Sequence, residues 1–513
     1  MTRPPGRPRR ATPSGGAGRG RPGGSGRPRA AGPSRPGQPA RRIAADVLVA
    51  VQRDGAYANL TLPALLSRSS LEPRDRALAT ELTYGTLRWA GSLDRLISLA
   101  STRELESLDV GMLAALRLGC YQLVALRVAP HAAVDQTVEL ARDLVGEGGA
   151  GFANAVMRRI ADRVARSRGP ADPGTAGELD VAALFGAPPF ARDPAAHLAV
   201  VEHHPRWIVE AFAEALAADR DAGVRGAGGP WGQVREALAA DDAPGATHLV
   251  ARPGRITVEE LTAEADAAGL RTAPGRWSPY AVHVQGDPGL VPAVRDGRAA
   301  VQDEGSQLVA LVLAHAPTLG ADRGVTVDLC AGPGGKAGLL AAAGPDARLL
   351  ALEPRAARAR LVVATTRDLP VTVVMADGRV PPLAPGSADR VLVDAPCTGL
   401  GALRRRPEAR WRREPGAVEG LVGLQRSLLA AGLRLLRPGG VLLYSTCSPH
   451  VAETDGVVAD VLAGTPDVSP VDVRPLLPAG MPDLGDGPAV RLWPHRHGTD
   501  AMYLAALRRT AGS

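Results

Sequence analysis

A mostly parallel α/β sheet, preceded by an all-α domain and a small α/β connector, is the fold class predicted by three features of this sequence. The first is a β-branched run, Val325 to Leu329, that breaks into Cys330-Ala-Gly-Pro-Gly-Gly-Lys336 and an Ala- and Leu-rich segment to Ala343. Strand, glycine turn and helix in that order bring main-chain N–H groups close to a nucleotide-like ligand. The second is an alternation of strand-like and helix-like segments from Val301 onward, which implies helices on both faces and ligands at the strands' C-terminal ends. The third is helix-spaced apolar residues between Ala40 and about Arg168.

Taken in order, residues 1–40 are Gly, Pro, Arg and Ser with almost nothing to bury, and are expected to be a disordered tail. Residues 1–42 carry 11 Arg and no acid against a net charge of +7, so residues 43–513 sum to −4. The basic balance therefore belongs to the tail, a sequence-blind phosphate-binding arm or an idle solvated one. Residues 41–168 read as the all-α domain, with Ile43, Val47, Leu48 and Val51 and then Leu113, Leu116, Leu118, Leu123 and Leu126 on inner faces. Residues 169–195, rich in Pro, Ala, Gly and Asp, read as a linker. Residues 196–300 read as the connector, with a helix opened by His204-Pro-Arg-Trp207, short strands at Thr247 to Ala251 and Tyr280 to Val284, and an insertion from Asp219 to Gly232.

In residues 301–513 the spacing predicts strands at Arg348 to Leu352, Val371 to Met375, Asp389 to Val393 and Gly440 to Thr446. Helices are expected over Arg355 to Thr365 and Gly416 to Leu436, the second stopped by Arg437-Pro-Gly-Gly440. Each strand end carries chemistry. Glu353, 25 residues after Asp328, is placed to accept ribose hydroxyls. Asp377 can contact an adenine edge or ribose. The next two strands end in Asp394-Ala-Pro-Cys397-Thr-Gly and Thr446-Cys447-Ser. The chain holds 60 Lys plus Arg but a single lysine, Lys336, inside the glycine turn, which points to a site needing a compact ammonium.

A phosphate-binding P-loop fails because Cys330 takes the first Gly position and Ala337 replaces Ser/Thr. A hydride-transfer enzyme would leave two strand-end cysteines unexplained, whereas methyl transfer to a pyrimidine uses both. Cytosine C5 takes a methyl group only after a thiolate adds to C6, and a carboxyl such as Asp394 can stabilise the charge that develops on the ring. Four cysteines without a C-x-x-C pair argue against a zinc site or disulfide framework and fit a reducing cytoplasm. His495 and His497 are expected to be structural, with no metal. No window approaches the ~18 unbroken apolar residues of a membrane span, and no signal-type segment opens the chain.

Asp-Leu-Cys330-Ala-Gly-Pro-Gly-Gly-Lys336, Asp394-Ala-Pro-Cys397-Thr-Gly-x-Gly401 and Tyr444-Ser-Thr-Cys447-Ser, in that order, resemble the RsmB/Nop/Sun family of RNA cytosine-5 methyltransferases. The resemblance implies a Rossmann-like S-adenosylmethionine-dependent domain over residues 301–513. It implies Cys447 as nucleophile, Cys397 as the thiol that assists release of methylated RNA, and Asp394 in catalysis. The donor site would be Cys330, Ala331, Gly332, Pro333, Gly334, Gly335, Lys336, Glu353, Asp377 and Asp394; Lys336 would meet either the donor's carboxylate or Asp394. Ala129-Pro-His-Ala-Ala-Val-Asp-Gln136 and Gly151-Phe-Ala-Asn154-Ala-Val-Met-Arg-Arg159 resemble the NusB-like RNA-binding domain of the bacterial ribosomal branch, whose substrate is cytosine 967 of 16S rRNA. Glu453-Thr-Asp455 has Thr where the family usually has Asn. Arg404, Arg405, Arg406, Arg410 and Trp411 follow the Pro-Cys motif and are expected to contact phosphate and stack on an unpaired base. The partner is then rRNA or an assembling small subunit, bound by a monomer. A catalytically silent RNA-binding assembly factor of the same fold is the competing reading, as is the same chemistry on another RNA cytosine.

Overall fold

The computed structural model describes residues 38–169, 177–219, 229–344 and 348–510. The Arg-rich tail through residue 37 and most of the Asp219 to Gly232 insertion lie outside them. The expected tail is slightly too long, since the first helix begins at Gln38 and already buries Ala40 and Arg41.

Seven α-helices from Gln38 to Arg166 enclose one apolar core. Local chemistry sets their ends. Asp109 caps Val110–Val124 by accepting the Gly111 N–H at 2.7 Å. Pro130 opens Pro130–Val145, which stops at Gly146, where φ is +84°. The expected linker is partly structured: Val181–Phe185 is a short helix whose Leu184 and Phe185 complete the helical core. Composition hid these two residues among Pro, Gly and Asp.

The connector holds an antiparallel sheet of four strands, ordered β2-β3-β1-β4: β1 (Thr247–Ala251), β2 (Arg271–Pro274), β3 (Ala281–Gln285) and β4 (Ala299–Val301). Only β1 and β3 were legible, because β2 is largely exposed and β4 is three residues long. The helix after His204-Pro205 runs Arg206–Ala218.

The large sheet is built on β5 (Val325–Asp328), β6 (Arg348–Leu352), β7 (Val371–Val374), β8 (Ala388–Asp394) and β9 (Leu436–Thr446), all parallel. Its order continues through β10 (Val468–Val471) and β12 (Met502–Arg509), with β11 (Val490–Leu492) also on β12; the pairings of these last three are antiparallel. Two apolar clusters cover its faces, as strands buried on both sides require. One boundary is corrected: Arg437-Pro-Gly-Gly440 lies within β9 instead of before it. Pro438 is tolerated there beside a register irregularity in the β8–β9 pairing. Because β8 lies between β5 and β9, the glycine turn and both cysteine loops leave the same edge of adjacent strands. Among the described residues, no helix is long and apolar enough to cross a membrane.

Candidate active site

At the C-terminal edge of β5, Asp328 Oδ1 accepts the Cys330 N–H at 3.1 Å, turning the chain into the glycine loop. Gly334 then takes φ +95°, and a Cβ there would press within 3.1 Å of Thr365 and the Val362 backbone, so only glycine fits before the helix Gly335–Ala343. Lys336, in that helix's first turn, reaches Asp394 at the end of β8, Nζ to Oδ2 2.8 Å. Ser445 Oγ on β9 donates to the other carboxylate oxygen at 3.0 Å. Asp394 is one of the two partners expected for Lys336. Burial works against the Lys336 charge, but Asp394 outweighs it and holds the ammonium above its ordinary pKa.

Cys397 and Cys447 meet with their sulfurs 3.4 Å apart. The loops are tied by main-chain bonds, Ala395 N–H to Ser445 O at 2.8 Å and Gly401 N–H to Cys447 O at 2.9 Å. Two thiols this close share one proton more easily than they lose two. The contact with Cys397 draws the Cys447 pKa below that of an ordinary thiol, with Lys336 nearby adding in the same direction. Cys397 moves well above, because it faces Cys447 and is buried. Cys447 is thus the better thiolate. Cys120 and Cys330, both pushed up by burial, are inert.

Glu353 lies at the end of β6, nearly buried, with Arg358 3.5 Å away. Asp377, past β7, is more open and pairs with Arg379 at 2.6 Å. Asp328 Oδ2 is buried without a hydrogen-bond partner, and burial, together with the nearby Asp394 charge, pushes its carboxyl up to about 7.

The arginine segment is a correction. Arg410 is wholly buried and donates to Arg88 O at 3.2 Å, His203 O at 2.9 Å and Asp242 Oδ1 at 2.5 Å. Trp411 donates its indole N–H to Leu87 O at 2.7 Å and packs on Gly91, where any Cβ would clash with its ring. Arg404 and Arg405 are held by Asp303 and Asp500 at 2.6–3.1 Å. These four fasten the catalytic sheet to the helical core and the connector, with Arg412 and Glu408 adding bonds to the Val51–Ala58 turn. They are not free for RNA. Arg406 alone of the five is exposed. The sequence carried a signal for this: Leu400, Leu403, Pro407 and Trp411 recur at three- to four-residue spacing, giving the segment an inner face.

Beside Arg410, Asp241 is fully buried with neither carboxylate oxygen hydrogen-bonded, and burial pushes its pKa up to about 8. Its proton is bound more tightly folded than unfolded, so stability declines as pH rises from the ordinary value of 3.8 through 8. Asp241→Asn is expected to flatten this slope, which urea unfolding at about pH 5.5 and about pH 8.5 would measure. A wild-type slope retained in the variant would assign the pH dependence elsewhere.

His248, His283 and Glu304 bring ligand-type atoms within 4.8 Å. They already bond one another and the surrounding main chain: His248 Nδ1 accepts the Glu304 N–H, and Glu304 accepts the Arg276, Trp277 and Ser278 N–H groups and pairs with His283 Nε2. His497 is likewise spent on Trp493 N–H and Pro482 O.

Comparison with known proteins gives this geometry a family. A model described as 16S rRNA methyltransferase RsmB/F matches residues 318–508, and a NusB family model matches residues 38–162. Ribosomal RNA small subunit methyltransferase B of Pseudomonas putida is 30% identical over 495 residues, spanning 92% of this chain and 99% of the relative. The chain belongs to the RsmB/F family of 16S rRNA methyltransferases. A Mycobacterium tuberculosis protein, named only as a putative methyltransferase, is 53% identical over 474 residues and covers 92% of this chain and 96% of its own length. The crystal structure of PH0851 shares the fold, with a TM-score of 0.71 at 21% identity over 93% of this chain and 99% of that one.

RsmB/F enzymes use S-adenosylmethionine as methyl donor. The residues at the turn fit such a group: two glycines at φ +60° and +95° leave the main chain bare, acids end the two strands beyond, and the unpartnered Asp328 Oδ2 can accept from an ammonium. Sequence reasoning missed the buried hydrogen-bond network that joins the two cysteine loops through Glu453 and Gln425.

Proposed function

We propose that this RsmB/F enzyme methylates C5 of a cytosine in 16S rRNA, cytosine 967 in the bacterial branch it resembles, through a covalent adduct between Cys447 and C6. The observation that carries the reading is the 3.4 Å pair of thiols beside the Lys336–Asp394 bridge, at the edge where the glycine turn emerges. Bound S-adenosylmethionine supplies an electrophilic methyl group. Cys447, the sulfur of lower pKa, forms the bond to C6 and loads electron density onto C5. Asp394, oriented by Lys336 and Ser445, would accept from the exocyclic amine and hold the ring in place, with the Lys336 ammonium beside it offsetting the negative charge that develops there. Once C5 carries the methyl group its proton passes to solvent, the C–H electron pair restores the C5–C6 double bond, and the Cys447–C6 bond breaks to return the thiolate, with Cys397 serving that release. Cys330 to Lys336, Glu353, Asp377 and Asp394 would hold the donor.

The target base must be unpaired or extruded for sulfur to reach C6. The helical part, residues 41–168, is the RNA-facing domain in this reading, and a cytoplasmic monomer acting on rRNA or an assembling small subunit is the form proposed. Bisulfite sequencing of 16S rRNA from a deletion strain tests it: one protected cytosine should become convertible and regain protection on complementation. An unchanged map would favour the silent assembly factor.

A further inference from the structure

Glu453 reaches the active site from behind. It closes the short turn Val451–Glu453 after the Thr-Cys loop and is fully buried. Its Oε1 accepts the Thr398 N–H at 2.8 Å and the Gln425 side-chain amide at 3.1 Å. Its Oε2 accepts the Thr398 hydroxyl at 2.5 Å and the Ser448 hydroxyl at 2.6 Å. Thr398 directly follows Cys397 and Ser448 directly follows Cys447. The Gln425 amide also donates to Pro396 O at 2.8 Å, so both neighbours of Cys397 are held. We infer that Glu453 is the positioning residue that sets the two thiols in register for attack on the pyrimidine, an inference that rests on the covalent reading above.

The donors around this carboxylate are all neutral. Burying a charge without a cation is costly, and four hydrogen bonds are what offset it. A carboxylate has a property that no neutral side chain matches: it accepts on every lone pair and donates nothing. At this point three of the donors belong to the two cysteine loops, so one rigid group gathers the residues next to both sulfurs, adding to the Gly401 N–H to Cys447 O bond and the 3.0 Å contact between the Thr398 and Ser448 hydroxyls. Glutamine could keep this pattern, its oxygen facing the two N–H donors and its amide donating to the two hydroxyls, so the discriminating change is Glu453→Leu, which removes every acceptor and frees both loops from their shared partner. Glu453 touches neither substrate nor donor and acts only through these loops.

The test uses the full chain and a 16S rRNA fragment carrying 5-fluorocytidine at the target, in the presence of S-adenosylmethionine. Fluorine cannot leave C5 as a proton does, so the Cys447 adduct stays covalent and survives denaturant. Wild type should form this complex. Glu453→Leu should form it about 10²-fold more slowly while fragment affinity stays within about threefold, because a sub-ångström displacement of reacting groups costs rate and not binding. Ser448→Ala, a milder change that keeps the carboxylate, should slow it in the same sense and serves if the first variant does not fold. Adduct formation at the wild-type rate in both variants overturns the inference, as does a rate loss matched by an equal loss of fragment affinity. Absence of the complex with wild type itself overturns the covalent reading, and the inference with it.

Discussion

Cys447→Ala should lose at least about 10³-fold of methyl transfer while still binding RNA, because the reaction then has no route to a nucleophilic C5. The expectation follows from the site's geometry. Cys447 is the sulfur drawn below an ordinary thiol's pKa by its contact with Cys397, and Lys336 favours its thiolate in the same direction. Alanine removes the thiolate but leaves the strand, the Gly401 N–H to Cys447 O bond and the Asp394 bridge in place. Transfer of labelled methyl to a 16S fragment, alongside fragment binding, measures it. Residual activity above about a tenth of wild type would show that another nucleophile operates.

The second large effect is on stability. Arg410→Met should destabilise the chain by about 3–5 kcal/mol, since the side chain is the buried cation paired with Asp242 between three parts of the molecule. Methionine fills much of the volume but leaves a buried carboxylate unpaired and the carbonyls of Arg88 and His203 without a donor. Arg406→Met, at an exposed position of the same segment, should change stability by less than about 0.5 kcal/mol. Urea midpoints for both variants give the comparison. An Arg410→Met protein of unchanged midpoint but weakened RNA binding would restore the phosphate-contact role that its burial argues against.

The sheet and the chemistry at its edge were legible because they obey local rules. A glycine turn between an apolar strand and an Ala/Leu helix is readable from neighbours in sequence, and so are acids and cysteines at strand ends. What was not legible depends on contacts across long separations. Arg410 lies 322 residues from Arg88, and residue type alone does not distinguish an arginine that pairs with a buried aspartate from one that meets phosphate. An arginine-rich run beside reactive cysteines reads as a nucleic-acid surface on composition, yet its apolar spacing marked it as a strut. Glu453 was passed over for the same reason: Thr398 lies 55 residues from it and Ser448 only 5, and the fold alone brings both to one carboxylate. Lys336 was singled out by its rarity, and the structure supplied its partner.

The central claim is that Cys447 attacks and Cys397 releases, and Cys397→Ala tests it most directly. With S-adenosylmethionine and a 16S rRNA fragment, this variant should accumulate a protein–RNA complex that persists through a denaturing gel, while Cys447→Ala gives none. A trapped complex with Cys447→Ala and none with Cys397→Ala would reverse the two sulfurs and contradict the account.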